Sequence, residues 1–305
     1  VGEENRGLEY MFIMMNEARF GVGVQGLAVA DRAYQLALAW AKDRVQGKDA
    51  TAPKGPSVPI IRHPDVRRML MSMKSRVEAM RALAYVVAAM IDQAHRAPDE
   101  AARASAHAGV DLLIPILKAW CTETGIEVAS TGIQVHGGMG FIEETGASQH
   151  LRDARITTIY EGTTGIQAND LIGRKIAREG GATLKAVVGI MQQVDAALSK
   201  QPGEDFAAIH AGFSRGVQAL ADAATYIATN FSQDIKGVHV GAVPFLRLMG
   251  IVSGGWQMAR AALVAQAKIA AGDSDPYYPT KIATTRFYAD HVLSQAPGLA
   301  QTVIK

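Results

Sequence analysis

The 305-residue chain has a single cysteine, Cys121, and so cannot close an intrachain disulfide. That fits a reducing compartment, and the expected location is the cytoplasm. Charge of one sign is also scarce: 31 Lys plus Arg stand against 29 Asp plus Glu, a formal net charge of +2. The balance holds on both sides of residue 178, with 21 basic and 20 acidic residues up to it and 10 and 9 beyond it. A nucleic-acid surface must neutralise many phosphates, and neither part supplies the excess cation, so no nucleic-acid partner is expected. The longest apolar run, Ala82 to Ile91, has ten residues. A bilayer-spanning helix needs about 20, so no membrane span is available. No His or Cys pair has metal-ligand spacing, and no metal is expected. Neither an initiator methionine nor a signal-peptide pattern opens the chain, and Val1-Gly2-Glu3 reads as a cut inside a longer frame.

Proline is rare and acts as punctuation. Pro53, Pro56 and Pro59 cluster, and Pro64, Pro98, Pro202, Pro244, Pro276 and Pro279 follow at sparse intervals. Between them the pattern is helical. Val66, Leu70, Met73, Val77, Met80, Ala84, Val87 and Ile91 alternate spacings of four and three, which puts them on one stripe of a helix. Phe206, Ile209, Phe213, Val217, Leu220, Ala224 and Ile227 repeat the pattern, as do Phe245, Met249, Val252, Trp256, Ala259 and Leu263. Strand-like alternation of useful length is missing, so the fold is expected to be all-α, with long antiparallel helices packed as a bundle. The segment from Gly47 to Pro59 reads as a loop, and Gly180-Gly181 breaks the chain into two helical units, 1–178 and 179–305. Gly21, Gly23 and Gly26 are expected to let helices approach closely.

The most informative stretch runs from Gln134 to Gln167. Its Gly137, Gly138 and Gly140 either end a helix or expose amides to a phosphate or ring. Leu151 to Arg155 reads as a charged turn, and Thr157 to Tyr160 suit an extended lead-in to Glu161. Glu161 stands between a tyrosine and Gly162-Thr163-Thr164, just before an apolar helical segment. It is either a helix-start carboxylate favoured by the macrodipole, worth under about 1 kcal/mol, or a group poised for chemistry.

Three ordered blocks carry a resemblance: Gln134-x-x-Gly137-Gly138-x-Gly140-Phe141, Leu151-Arg152-Asp153-Ala154-Arg155-Ile156, and Ile159-Tyr160-Glu161-Gly162-Thr163. Together they resemble the C-terminal helical domain of the acyl-CoA dehydrogenases. Val1-Gly2-Glu3-Glu4 with Gly7, Asn16-Glu17-Ala18-Arg19 and Ala30 to Arg44 are similar to that domain's first long helix. Lys281 to Asp290 resembles the helical tail of one longer subgroup, which includes methylthiopropanoyl-CoA and broad-range fatty-acyl-CoA dehydrogenases.

The resemblance implies an antiparallel four-helix bundle over 1–178 and a second, smaller helical domain over 179–305. It also implies an FAD enzyme of fatty-acid β-oxidation that converts acyl-CoA to trans-2-enoyl-CoA, with electron-transfer flavoprotein as acceptor. By position in the family, Glu161 is the base that removes the α-proton while the β-hydride goes to flavin N5, and Arg19 lies near it. Arg44, Gln134, Gly137, Gly138 and Thr163 fall on cofactor-contacting positions, the adenosine diphosphate being held across a dimer interface. Asn16, Tyr160 and Gly162 fall on substrate positions, while Ala168-Asn169-Asp170 replaces a more basic family segment. The relatives' flavin-cradling domains have no counterpart here, so the chain alone is expected to be inactive and to self-associate as a dimer or tetramer. The alternatives are a non-catalytic assembly or nucleic-acid-associated relative, and a plain helical scaffold. His136 is expected to pack or to support a neighbour, Cys121 to be a core thiol, and Arg174, Lys175 and Arg178 to be a solvated helix end.

Overall fold

The structure, a computed structural model, describes residues 2–305; Val1, the first residue of the N-terminal block of the resemblance, lies outside them. Three long helices build the first part: α1 (Gly7–Asp43), α2 (Pro64–Arg96) and α3 (Glu100–His136). Consecutive helices run antiparallel. The fourth position of the bundle is shared by short helices: α4 (Gly138–Phe141), α5 (Ala147–Thr157), and α6 (Thr164–Asp170), which continues as a π-helical turn over Leu171–Ile176. After the left-handed pair Gly180 and Gly181 come α7 (Ala182–Leu198), α8 (Glu204–Asn230), α9 (Ile235–Val240), α10 (Ala242–Ala270), α11 (Tyr277–His291) and α12 (Ala296–Ile304). Among the described residues the fold is all-α except for one ribbon, β1 (Val45–Lys48) paired antiparallel with β2 (Ser57–Pro59), which begins two residues before the segment Gly47 to Pro59 read as loop and ends with it.

The apolar stripes bury as their spacing requires. On α2, Leu70, Met73, Val77, Met80, Ala84 and Val87 are buried, and on α8 so are Phe206, Ile209, Phe213, Val217, Leu220 and Ile227. What the stripe on α2 does not announce is a second buried side. Ser75 and Ala79 are fully buried about a third of a turn or more from it, because α10 and α11 pack there. Small residues carry little hydrophobic signal yet permit that approach.

Close approach also sets α1 against α3. A Cβ on Gly26 would stand 2.8 Å from the Thr122 Cα, and one on Gly125 would stand 2.9 Å from the Gly26 carbonyl oxygen. Gly23 meets Leu117 in the same way, whereas Gly21 is exposed with nothing within 4 Å, so close packing does not explain it. Proline is not punctuation everywhere: Pro115 lies buried inside α3. A mid-helix proline costs about 3 kcal/mol, and here Leu112 to Cys121, every one of them buried, hold the helix continuous through it.

One hydrophobic core runs through both parts of the chain. Its centre is the meeting of α3 with α10, whose residues Phe245 to Ala259 are buried with the exception of exposed Arg247. Trp120 of α3 lies across Gly250 and Gly254: a Cβ at Gly250 would fall inside the indole, and one at Gly254 would sit 2.6 Å from the ring and 2.7 Å from the Tyr288 hydroxyl. The Tyr288 hydroxyl donates to the Ile251 carbonyl at 2.9 Å.

Gly250→Ala should therefore destabilise the chain by about 1–3 kcal/mol through overpacking. Gly189→Ala on α7, where the added methyl meets nothing within 4 Å, should stabilise it by about 0.4–1 kcal/mol. Urea denaturation midpoints of the two variants check the opposite signs.

Candidate active site

The turn between α5 and α6 carries the candidate base. Leu151 to Arg155, expected as a charged turn, instead lies inside α5. Its charges pair along the helix surface, Arg152 with Glu143 at 2.7 Å and Gln149 with Asp153 at 2.6 Å, while Ala154 packs inward against Ala33 and Ala129. The extended lead-in over Thr157 to Tyr160 is also not what forms. The Thr157 and Thr158 hydroxyls donate back to the carbonyls of Ala154 and Arg155, so the helix closes on itself and enters a tight turn. Two left-handed residues follow, Glu161 at φ 55° and Gly162 at φ 88°. Left-handed backbone suits glycine, but for a glutamate it stores strain on the order of 1–3 kcal/mol. The Thr164 N–H donates across the turn to the Thr158 carbonyl at 3.2 Å. Thr163 caps α6, its hydroxyl accepting from the Ile166 N–H at 3.4 Å. Tyr160 reaches α1, donating its hydroxyl proton to Gln25.

Behind the half-buried Glu161 lies a polar layer. Lys118 of α3 is 0% exposed and donates from Nζ to the Gly162 carbonyl at 2.7 Å. Burial pulls the Lys118 ammonium from its ordinary 10.5 down to about 8; the Glu123 and Glu161 carboxylates favour the charge and the Arg19 guanidinium opposes it. Gln167, also 0% exposed, donates from Nε2 to the Glu161 carbonyl at 3.0 Å and the Gly162 carbonyl at 3.4 Å. Arg19 is buried beside this layer, pairing with Asp170 at 3.1 Å. Asn16, one turn earlier on α1, donates to Asp111 at 3.3 Å, and Lys175 pairs with the same carboxylate at 3.2 Å. Lys175 is thus an ion-pair partner and not part of a solvated helix end. Arg174 stands 3.7 Å from Asp170.

The remaining candidates meet elsewhere. Arg44, Gln134, Gly137 and Gly138 line one open groove of about 560 Å³ where the C-terminal ends of α1 and α3 come together. Gly137 has φ 64°, and a Cβ on it or on Gly138 would meet nothing within 4 Å, so this backbone is open to a ligand. An exposed guanidinium, a side-chain amide and bare amides suit a phosphate-bearing nucleotide. His136 packs at the groove wall, stacked on Trp40 with centroids 5.1 Å apart and bonded to the Gly132 carbonyl at 2.7 Å. Cys121 is fully buried, and burial pushes its thiol pKa up. Among the described residues no three His, Cys, Asp or Glu side chains gather to hold a metal ion, and no helix is long and apolar enough to cross a membrane.

The profile of the acyl-CoA dehydrogenase C-terminal domain matches residues 5–176, and that of the acetyl-CoA dehydrogenase C-terminal-like domain matches residues 187–305. The chain belongs to the acyl-CoA dehydrogenase family. It is 47% identical over 299 residues to 3-methylmercaptopropionyl-CoA dehydrogenase of Ruegeria pomeroyi, covering 96% of this chain and 50% of that protein. It is 36% identical over 304 residues to the broad-specificity linear acyl-CoA dehydrogenase of Mycobacterium tuberculosis, again covering 96% of this chain and 50% of that protein. The chain thus spans about half the length of these curated relatives. An acyl-CoA dehydrogenase from Bacillus anthracis, solved in complex with FAD, matches the fold with TM-score 0.76 at 20% identity, over 99% of this chain and 51% of that one.

Two residues of this acyl-CoA dehydrogenase segment were not found from the sequence, Lys118 and Gln167. Lys118 had a signal: it is the only charged residue between Asp111 and Glu123, in an otherwise apolar run on α3. Gln167 had none, since a polar residue on a seven-residue helix is unremarkable. The Arg19–Asp170 pair lends itself to a direct test. Its side chains are 7% and 9% exposed, so Arg19→Met or Asp170→Leu alone, leaving one charge buried and unpaired, should each cost about 3–5 kcal/mol. The double variant should recover most of that, and a double-mutant cycle in urea measures the coupling.

Proposed function

We propose that this chain is the C-terminal half of an FAD-dependent acyl-CoA dehydrogenase oxidising acyl-CoA to trans-2-enoyl-CoA, with Glu161 taking the α-proton. The observation that carries this reading is the left-handed glutamate, a strained position held from behind by buried Lys118 and Gln167. Such strain persists only where the surroundings over-determine it, and a plain scaffold or a non-catalytic assembly module has no use for it. A proton α to a thioester is far less acidic than a carboxylic acid, so its transfer to a carboxylate in water is strongly uphill. The base must therefore stand in place, and the thioester carbonyl needs hydrogen bonds that strengthen as charge develops. Among the described residues the Glu161 N–H makes no hydrogen bond, which leaves it available for that carbonyl. Arg19 is held by Asp170 and, like Glu161, acts on the Lys118 charge, and its guanidinium would supply fixed positive charge on that side of the turn. Tyr160 and Gly162 frame the substrate side, and Asn16 stands one turn from Arg19 on α1.

The groove residues Arg44, Gln134, Gly137 and Gly138 would hold the adenosine diphosphate part of FAD, and Thr163 the flavin end. When bound, the flavin supplies the hydride acceptor at N5. Arg19 and Arg44 are 25 residues apart along α1, about 37 Å at the helical rise, so one cofactor served by both ends draws them from two copies of the chain. That supports a homodimer or homotetramer. Electron-transfer flavoprotein as acceptor, a cytoplasmic location consistent with the free thiol of Cys121, and the division into units 1–178 and 179–305 complete the proposal.

In the full-length enzyme, Glu161→Gln should lower turnover at least about 10²-fold with FAD still bound. Near-normal turnover would sink the assignment. The 305-residue chain alone should purify without stoichiometric flavin absorbance and without activity; a yellow, stoichiometrically loaded sample would contradict the view that residues beyond this chain complete the site.

A further inference from the structure

We infer that Lys118 is a positioning residue for the dehydrogenation, holding the Gly162 carbonyl from inside the bundle so that the turn keeps the Glu161 Cα, and with it the carboxylate, in reach of the thioester. The inference rests on Glu161 being the α-proton base.

Two successive carbonyls of the turn are gripped from the same side. Lys118 Nζ donates to the Gly162 carbonyl at 2.7 Å, and Gln167 Nε2 to the Glu161 carbonyl at 3.0 Å. Fixing both carbonyls fixes the planes of the two peptides that follow Glu161 and Gly162, because each peptide is rigid. The two peptides flank Gly162, so its left-handed φ of 88° is set between them, and the Cα of Glu161 is held at the edge of this fixed unit. A Cβ on Gly162 would fall 2.7 Å from Gln167 Nε2, so the grip also depends on the bare glycine.

A neutral donor would serve if the turn needed only a staple, and Gln167 already reaches both carbonyls. An ammonium with 0% exposure is a costlier choice, since a buried charge must be compensated by its surroundings. Here the compensation comes from Glu123 and Glu161, while Arg19 opposes it. Glu123 is the main compensating carboxylate and Glu161 a smaller one, so part of the compensation comes from the carboxylate assigned to the chemistry. Lys118 and Gly162 are 44 residues apart in sequence, and the anchor sits in the most deeply buried helix of the bundle.

The test uses the full-length flavoenzyme in deuterated water without electron acceptor, following exchange of the acyl-CoA α-proton per bound flavin. This reads the base separately from hydride transfer. Lys118→Met should slow exchange and kcat on the order of 10²-fold, the loss expected from roughly 1 Å of misplacement, with flavin occupancy and the KM for acyl-CoA held within about twofold. Lys118→Gln, which keeps an amide but falls short of the Gly162 carbonyl, should behave alike and serves if the Met variant does not fold. A flavin-loaded Lys118 variant that exchanges at the wild-type rate, with only its thermal midpoint lowered, overturns the inference and leaves Lys118 a structural staple. Failure of the underlying reading shows elsewhere, as near-normal exchange in Glu161→Gln.

Discussion

The structure depends on the burial of α3. From Leu112 to Thr122 that helix has no exposed residue, and it reaches this state only because α1, α2, α10 and the turn before α6 all pack against it. Each neighbour needs its own device. Against α1 it is the backbone contact of Gly26 with Thr122 and Gly125; against α10 it is the Trp120 indole lying on Gly250 and Gly254. Burying an indole removes a large apolar area from water, and at about 25 cal/mol per Å² such side chains dominate a core's stabilisation. The glycines on α10 let the ring approach the backbone directly, so the second part of the chain is held to the first by packing that a single methyl would disturb.

The same burial gives the polar residues their leverage. Two positions before Trp120, about 200° around the helix, Lys118 points at the turn carrying Glu161. In a medium of low effective dielectric, hydrogen bonds and ion pairs are stronger than at a surface, and unpaired groups are costlier. Lys118 to Gly162, Gln167 to Glu161 and Arg19 to Asp170 are all buried interactions around one short turn. Their cost is carried by the apolar core around them, and what that core sustains is a glutamate in a conformation it would not adopt alone.

How far the sequence reveals this follows from which physics leaves a pattern. The stripes on α2, α8 and α10 are legible because bulky apolar residues recur at helical spacing, and they bury as expected. The second buried side of α2 is not, because Ser75 and Ala79 are small. Pro115 and the run Thr157 to Tyr160 mislead for a common reason: local preference favours a break or an extended segment, while tertiary packing keeps the chain helical through Pro115 and hydroxyl-to-carbonyl bonds carry it from the end of α5 into a tight turn. At the site, the glycines and Glu161 stand out as motif, whereas the residues that hold Glu161 come from α3 and α6 and carry no motif of their own. Asp170 illustrates the limit. Read as a departure from a basic family segment, it turns out to be the buried partner of Arg19, a pairing 151 residues apart that no local pattern encodes.

The two clusters of candidate residues also explain each other through the geometry of α1. α1 runs over 37 residues with Arg19 about a third of the way along it and Arg44 at its C-terminal cap, so the two stand about 37 Å apart at the helical rise. The turn end is dense, buried and strained; the groove end is open, with exposed backbone at Gly137 and Gly138. A site that must move a proton needs the first kind of surface, since a misplaced base is a slow one. A site that must admit a long phosphate-bearing ligand needs the second, since a closed cavity could not be entered. One helix that carries the two about 37 Å apart favours a reaction centre shared between copies of the chain, so the self-association and the chemistry proposed here are one argument and not two.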